Sequence, residues 1–168
     1  MIDILQLSEE DIKLRYITPS IVDKGWSVDN ITMETKVKLT DGKINLRGNL
    51  VSRGKAKYAD YVLYYNRATP IAIVEAKDAN HTVAHGLQQA KEYAQMMDVP
   101  FAFSSNGMGY QEYDFLTGKE RYFSMDQFPT PIRDKIAISC MLRQIHEFSS
   151  HAIRHGLYIK NRKRLFCP

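Results

Sequence analysis

The sequence predicts a mixed α/β domain built around a central sheet. Apolar and polar residues alternate over 31–39, two more β-rich runs follow at 58–65 and 70–74, and the period becomes helical over 82–97. Strands interleaved with helices along one chain are typical of α/β architecture. The 168 residues are also the length of one domain. We therefore expect a single sheet with helices packed against it.

The first helix is predicted to begin near Ser8, because a serine followed by three acids is a typical helix start. Pro19 is expected to interrupt or bend this helix, and Gly25 to end it. In the strand at 31–39, the alternation predicts that Met33 faces inward and Glu34 faces solvent.

The run at 71–74 is apolar on both faces, which predicts a strand covered on both sides. The other predicted elements are strands at 100–103, 110–115 and 121–123, turns at Asn106-Gly107 and Thr117-Gly118, and a helix at 132–146.

The net charge of +4 comes from acid-free basic segments. Residues 151–168 carry five basic side chains and no acid, and the other 150 residues carry 18 basic and 19 acidic side chains. A second acid-free segment spans 42–59. Such segments suit a polyanion such as nucleic acid, although solvated loops are an alternative. The residues predicted to contact DNA are Lys43, Arg47, Arg53, Lys55, Lys57, Lys160, Arg162, Lys163 and Arg164.

Nothing in the sequence is typical of a secreted or membrane protein. The chain begins with acids instead of a basic start and an apolar run, and no stretch approaches the ~20 apolar residues of a membrane span. Cys140 and Cys167 show neither a disulfide framework nor a zinc spacing, so both are expected to be free thiols in a reducing compartment. We expect a cytoplasmic protein.

Asp60 and Glu75 are the acids of the predicted hairpin. If the hairpin turns at the bond between Arg67 and Ala68, the two acids lie opposite each other, with Cβ atoms about 4.5–5.5 Å apart. Two like charges at that distance are unfavourable without a cation between them. A Mg²⁺ ion held by both carboxylates, waters and a substrate phosphate would resolve the repulsion. A β-bulge would shift the register and remove the opposition.

Lys77 follows Glu75 by two residues, so both side chains are expected on one face of the strand. There the ammonium group can orient or help deprotonate a water, or stabilise charge on a phosphorane-like transition state. An ordinary ion pair at a strand end is the alternative interpretation.

These residues carry a resemblance. Asp60 followed by Glu75-Ala76-Lys77 after an apolar strand resembles the D…(D/E)xK signature of the PD-(D/E)XK nuclease superfamily. The next helix contains Gln89 and Tyr93 in a QxxxY pattern.

The order of segments resembles a particular family, the N-terminal endonuclease domain of the R (restriction) subunit of type I restriction–modification enzymes. The QxxxY helix is followed by Val99 to Gly107, and the opening segment at 9–26 also fits. The resemblance covers about residues 8–125.

The resemblance implies a restriction-endonuclease-like fold, with a central mixed sheet flanked by helices. It implies cleavage of double-stranded DNA with Mg²⁺, for which Mn²⁺ can substitute. Asp60 and Glu75 would bind the metal and Lys77 would assist the attacking water. Gln89 and Tyr93 would position phosphate or the lysine. Helix geometry alone favours a simpler interpretation, in which both are polar residues that border a packed face.

In this superfamily an acid from the first helix often joins the metal site. Glu9 matches that position best, with Glu10 and Asp11 as alternatives. Acids at a helix start also stabilise the helix dipole, which is a simpler explanation for all three.

The family's R subunits are long chains with an ATP-driven motor after the nuclease. This sequence has no GxxxxGK[ST] loop, so ATP would act only through a motor domain absent from the chain. We expect residues 1–168 to be one nuclease domain, with a core at about 8–125 and a helical, basic extension at about 131–168, from a longer R subunit. Its implied partners are methyltransferase (M) and specificity (S) subunits.

Two other functions remain open. One is a non-catalytic module with the same fold for DNA binding or subunit docking, and the other is a solitary nuclease of repair type. His81 and His85 have a spacing that can chelate zinc, but no third ligand is evident and solvent-facing histidines are expected.

Overall fold

A computed structural model describes residues 3–37, 45–47, 50–52 and 57–131 of the chain. The strands are β1 Ile31–Val37, β2 Asn45–Arg47, β3 Leu50–Ser52, β4 Lys57–Asn66, β5 Thr69–Ala76, β6 Phe101–Ser105, β7 Gly109–Asp114 and β8 Lys119–Ser124. The helices are α1 Glu9–Ile12, a π-helical turn at Lys13–Ile17, α2 Thr18–Asp23 and α3 Leu87–Met97. Short 3₁₀ turns are at Ile4–Gln6, Val28–Asn30 and Met125–Gln127.

Six strands form one mixed sheet in the order β1-β4-β5-β6-β7-β8, and β2 pairs with β3 separately. Among the described strands, only β5 and β6 run parallel, and the crossover between them contains α3. A parallel neighbour requires such a crossover, whereas the antiparallel neighbours β4–β5, β6–β7 and β7–β8 are joined by short turns. The mixed α/β class predicted from the sequence is confirmed.

The two faces of the sheet have separate hydrophobic layers. The segment from α1 to α2 buries Ile12, Ile17 and Ile21 against one face. On the other face, α3 buries Ala90 and Ala94. Strand β5 therefore lies between two apolar layers, which explains why its sequence is apolar at consecutive positions.

The first helical segment begins as predicted. The Ser8 hydroxyl accepts a hydrogen bond from the backbone N–H of Asp11 at 3.1 Å, and Gly25 follows the segment with a φ of +88°. Pro19 does not end the segment, because it lies in the first turn of α2, where a missing N–H is tolerated. The turn before it is π-helical.

The β4–β5 hairpin turns at the predicted bond, since Asn66 pairs with Thr69. The register of Leu63 with Ala72 is also the predicted one. Two irregularities around Tyr64 lie between these pairs, and their shifts cancel. The irregularities therefore leave the predicted register unchanged from Leu63 and Ala72 to the end of the ladder next to Asp60 and Glu75.

Two sequence predictions were wrong in detail. The helix predicted over 82–97 begins at Leu87, because residues 81–86 form turns in which the amide of Asn106 donates to the carbonyl of His81 at 2.8 Å. Met33 is exposed instead of buried, since β1 is an edge strand and its backbone is distorted at Glu34, whose φ is +48°.

Within the described ranges, no helix is long and apolar enough to cross a membrane. Several predictions lie outside the described residues: the helix at 132–146, the basic tail and both cysteines.

Candidate active site

The site begins where β4 and β5 stop pairing through their backbones. The last ladder pair is Tyr61 with Val74. One residue further, the backbone N–H of Asp60 donates to Oε1 of Glu75 at 3.3 Å, and the backbone N–H of Ala76 donates to Oδ2 of Asp60 at 2.8 Å. The two carboxylates thus continue the hydrogen bonding between the strands, which fixes their positions relative to the sheet.

Glu75 is 1% exposed and Asp60 is 8% exposed. Burial, followed by the negative charge of Asp60, raises the pKa of the Glu75 carboxyl to about 8. The cause is that a buried carboxylate loses hydration and a second acid nearby repels its charge. The pair is therefore an acidic site that favours a proton or a cation.

Lys77 lies beside Glu75 at the end of β5. Its ammonium group donates to the backbone carbonyl of Ala76 at 2.7 Å, and its positive charge lowers the pKa of Glu75, against the larger effect of burial. A Cβ on Gly86 would lie 3.3 Å from Cβ of Glu75 and 3.5 Å from Cε of Lys77. The side chains of Glu75 and Lys77 therefore both lie against Gly86 at the start of α3. This agrees with the prediction that they share one face of β5.

Gln89 and Tyr93 are joined on α3, where the Gln89 amide donates to the Tyr93 hydroxyl at 3.2 Å. Burial, followed by the charge of Glu75, raises the pKa of Tyr93. The phenol of Tyr93 is thus electrostatically coupled to the acidic pair. The roles of these two residues in catalysis stay predictions.

Among the three acids of the first helix, Glu9 approaches the site. Its Oε2 lies 3.6 Å from Nζ of Lys77 and its Oε1 lies 3.6 Å from Nζ of Lys13. Asp11 instead forms an ion pair with Arg15, and Glu10 is exposed. Glu9 is therefore linked to the acidic pair indirectly, through its ion pairs with Lys77 and Lys13.

Sequence reasoning missed Lys13. This lysine is 4% exposed, and its Nζ lies 2.5 Å from Oδ1 of Asp60 and 2.9 Å from Oε1 of Glu34. Burial opposes its charge, but hydrogen bonds with Asp60 and Glu34 raise the pKa of Lys13 overall. In the sequence, Glu9 and Lys13 have the spacing of an ordinary surface pair on a helix, and Glu34 falls on the predicted solvent face.

The donor set suits a hard divalent cation. Oxygen ligands from carboxylates, with water in the remaining positions, are what Mg²⁺ prefers. Within the described part of the chain, no group of three or more His, Cys, Asp or Glu residues could hold a metal. A cation at Asp60 and Glu75 would complete its shell with water or substrate.

His81 and His85 lie in the segment between β5 and α3. His81 forms an ion-pair contact with Asp78, with 3.0 Å between Nδ1 and Oδ2, and its ring centroid is 4.3 Å from that of His85. Both are exposed, as expected.

Lys57 is the predicted DNA-contact residue whose side chain the structure describes. Its Nζ lies 3.2 Å from Oε2 of Glu92 and 5.5 Å from the centroid of the Tyr93 ring. Arg47 is in β2, whose side chains are not described, and the other predicted DNA contacts lie outside the described residues.

A mixed sheet with helices on both faces and two acids meeting beside a lysine at the ends of central strands defines a nuclease-like α/β fold. The chain belongs to the family described as type I restriction enzyme R protein N terminus, whose family model matches residues 8–129.

Two relatives support this assignment. The type I restriction enzyme EcoAI endonuclease subunit of Escherichia coli is 38% identical over 135 residues, which are 77% of this chain and 16% of the relative. A solved fragment assigned as an HsdR subunit of a type I restriction enzyme from Vibrio vulnificus YJ016 is 42% identical with a TM-score of 0.62, and the match covers 74% of this chain and 24% of the fragment. The chain thus spans about a sixth of the length of the curated relative.

Proposed function

We propose that this chain is the nuclease domain of a type I restriction R subunit and hydrolyses phosphodiester bonds in double-stranded DNA with Mg²⁺. The observation that carries the proposal is the contact between Asp60 and Glu75 at the end of the β4–β5 ladder, with Lys77 beside them. The spacing of these residues is that of the PD-(D/E)XK signature. The relative from Escherichia coli, described as an endonuclease subunit, adds independent support.

Each residue at the pair has a role that follows from its contacts. Asp60 and Glu75 would hold the cation, because their carboxylates are adjacent and buried. Mg²⁺, when bound, polarises a phosphate oxygen and lowers the pKa of its water. Lys77 is held by the carbonyl of Ala76 and by Glu9, so its ammonium group is oriented to position the attacking water or stabilise developing charge.

DNA would be held by its backbone. Lys57 lies near the Tyr93 ring, and the charge of Glu75 also acts on the Tyr93 phenol, so Lys57 would contact a phosphate of DNA bound at the acidic pair. Phosphate contacts of this kind give affinity without reading sequence. Recognition would belong to the S subunit, with an M subunit in the same cytoplasmic complex and ATP-driven translocation by a motor outside this chain.

A non-catalytic docking or DNA-binding module is the second candidate. The physical argument against it is that two buried acids in contact cost stability unless a cation or proton compensates them. Lys13 and a proton on Glu75 offset part of that cost without a metal, so binding of Mg²⁺ is the property that separates the two candidates. A solitary repair-type nuclease would share this site and differ in partners, so a methyltransferase gene beside this one would count against it.

Calorimetric titration of the chain with Mg²⁺ separates a metal site from a docking module. We expect saturable binding to the wild type and its loss in Asp60→Ala and Glu75→Gln. Glu10→Gln is the matched control, because Glu10 is an exposed acid in the same helix as Glu9. Absence of binding, or equal binding by Asp60→Ala, would favour the module.

A further inference from the structure

Lys13 is a buried cation among three carboxylates. Its Nζ lies 2.5 Å from Asp60, 2.9 Å from Glu34 and 3.6 Å from Glu9. Its side chain is 5% exposed, whereas that of Glu34 is 63% exposed. The ammonium group therefore lies between the buried acidic pair and carboxylates nearer to solvent.

Ion-pair stability alone is a weak reason for this arrangement. A buried ion pair contributes little compared with well-packed apolar residues, because both charges must be desolvated. Lys13 is bonded to Asp60, and the second buried acid of the pair, Glu75, lies directly beside it. Its charge compensates the pair in the same way that a bound cation would.

We propose that Lys13 is the resident counter-ion of the Asp60–Glu75 pair, occupying the charge position of a divalent cation in the metal-free protein and leaving Asp60 when that cation binds. The inference rests on the proposed metal site and adds a residue to it. Lys13 is thus a positioning residue, which acts through Asp60.

The contacts of both partners allow this exchange. When Lys13 leaves Asp60, Glu34 and Glu9 remain within reach of the ammonium group, so its charge keeps two carboxylate neighbours. Asp60 stays anchored through Oδ2, which accepts the N–H of Ala76 at 2.8 Å. Oδ1, the oxygen that Lys13 releases, is then available as a ligand.

Thermal unfolding of the chain with and without Mg²⁺ tests the exchange. Lys13→Met removes the charge and keeps much of the side-chain volume. We expect a lower Tm without metal, and a larger rise in Tm on adding Mg²⁺ than in the wild type, because the cation supplies the missing charge. We also expect Mg²⁺ to bind on the order of tenfold more tightly, since a neighbouring cation no longer repels it. Lys91→Met is the control, because Lys91 pairs with Glu120 of the edge strand β8, which is remote from β4 in the sheet, and should leave the Mg²⁺ effect unchanged.

The outcomes separate the inference from the proposed function. If Mg²⁺ shifts the Tm of the wild type and of Glu75→Gln equally, or shifts neither, the metal site fails. If the shift depends on Glu75 but is equal or smaller in Lys13→Met, the metal site stands and the role of Lys13 is wrong.

A second measurement needs no variant and so avoids any failure to fold. In the wild type, the NMR signal of the Lys13 ammonium group should move in proportion to Mg²⁺ saturation, while that of Lys91 stays in place. A Lys13 signal that does not move at saturating Mg²⁺ would overturn the inference.

Discussion

Asp60 and Glu75 are each hydrogen-bonded to the other's strand at the point where the backbone pairing of β4 with β5 ends. The backbone N–H of Asp60 donates to the Glu75 carboxylate, and the carboxylate of Asp60 accepts the backbone N–H of Ala76. Each acid is thereby tied to the strand of the other, so the sheet determines their separation. This pre-organisation is what a site needs if it is to bind a cation with two protein ligands.

Glu75 should make the metal-free protein less stable as the pH rises. Its pKa is about 8 in the folded chain against 4.5 for a free side chain. Between these values the folded protein holds a proton that the unfolded chain has lost, so stability is greatest below 4.5 and falls as the pH approaches 8. We expect a loss on the order of 1 kcal/mol per pH unit.

Denaturant unfolding at several pH values measures this effect, and Glu75→Gln is the comparison because it removes the titrating proton. The difference in unfolding free energy between variant and wild type should grow across the window. A difference independent of pH would show that Glu75 ionises normally.

Gly86→Ala should disturb the packing of α3 on the site. The added methyl would lie 2.8 Å from Oγ of Ser104 and 3.3 Å from Cβ of Glu75. We expect a loss of about 1–3 kcal/mol in unfolding free energy, the usual cost of overpacking. Ser104→Ala removes the nearer atom, so the double variant should lose less than the two single variants together. Strictly additive losses would place the strain elsewhere.

Substitutions of Lys57 and of Glu92 should change the affinity for DNA in opposite directions. Lys57→Ala removes a phosphate contact and should reduce the slope of log affinity against log salt by about 1. Glu92→Gln frees Lys57 from its 3.2 Å ion pair and should tighten binding. Fluorescence anisotropy with duplex DNA at several salt concentrations measures both. Lys119→Ala, at an exposed position in the strand at the opposite edge of the sheet, is the control, and an equal change there would exclude a specific role for Lys57.

Lys77→Arg should not preserve cleavage. The Lys77 ammonium group is held by the Ala76 carbonyl at 2.7 Å and by Glu9 at 3.6 Å, and a broader guanidinium, which also stays protonated, would not reproduce these contacts. We expect Lys77→Arg and Lys77→Ala to lose roughly 10²-fold or more in rate. Tyr93→Phe and Gln89→Ala should lose less, because water can replace an orienting group. Full activity in Lys77→Arg would mean that only its charge matters.

The sequence predicted the hairpin because local signals determine it. The turn between Asn66 and Thr69 sets the register. The apolar strand after it can bury its side chains on both faces only at an interior position of the sheet. The opposition of Asp60 and Glu75 could therefore be predicted from the sequence alone. The shared face of Glu75 and Lys77 follows from the strand period.

Long-range contacts were harder to predict. Lys13 is buried because β1 and β4 bring Glu34 and Asp60 to it from distant parts of the chain, and nothing in the helix sequence indicates that contact. Met33 breaks the alternating pattern because an edge strand has no neighbour to enforce it. The start of α3 was predicted too early, since tertiary hydrogen bonds to the turn at 81–86 outweigh its local helical periodicity.

The most direct measurement of the central claim compares DNA cleavage with ATP hydrolysis in an R subunit that carries this domain, assembled with the proposed M and S subunits. The two activities should separate in Glu75→Gln, because the acidic pair is confined to this domain and the chain holds no nucleotide-binding loop. We predict that plasmid cleavage is abolished while the ATPase rate stays near that of the wild type, and that Glu10→Gln retains both. Wild-type cleavage by Glu75→Gln would contradict the account and place the active site elsewhere.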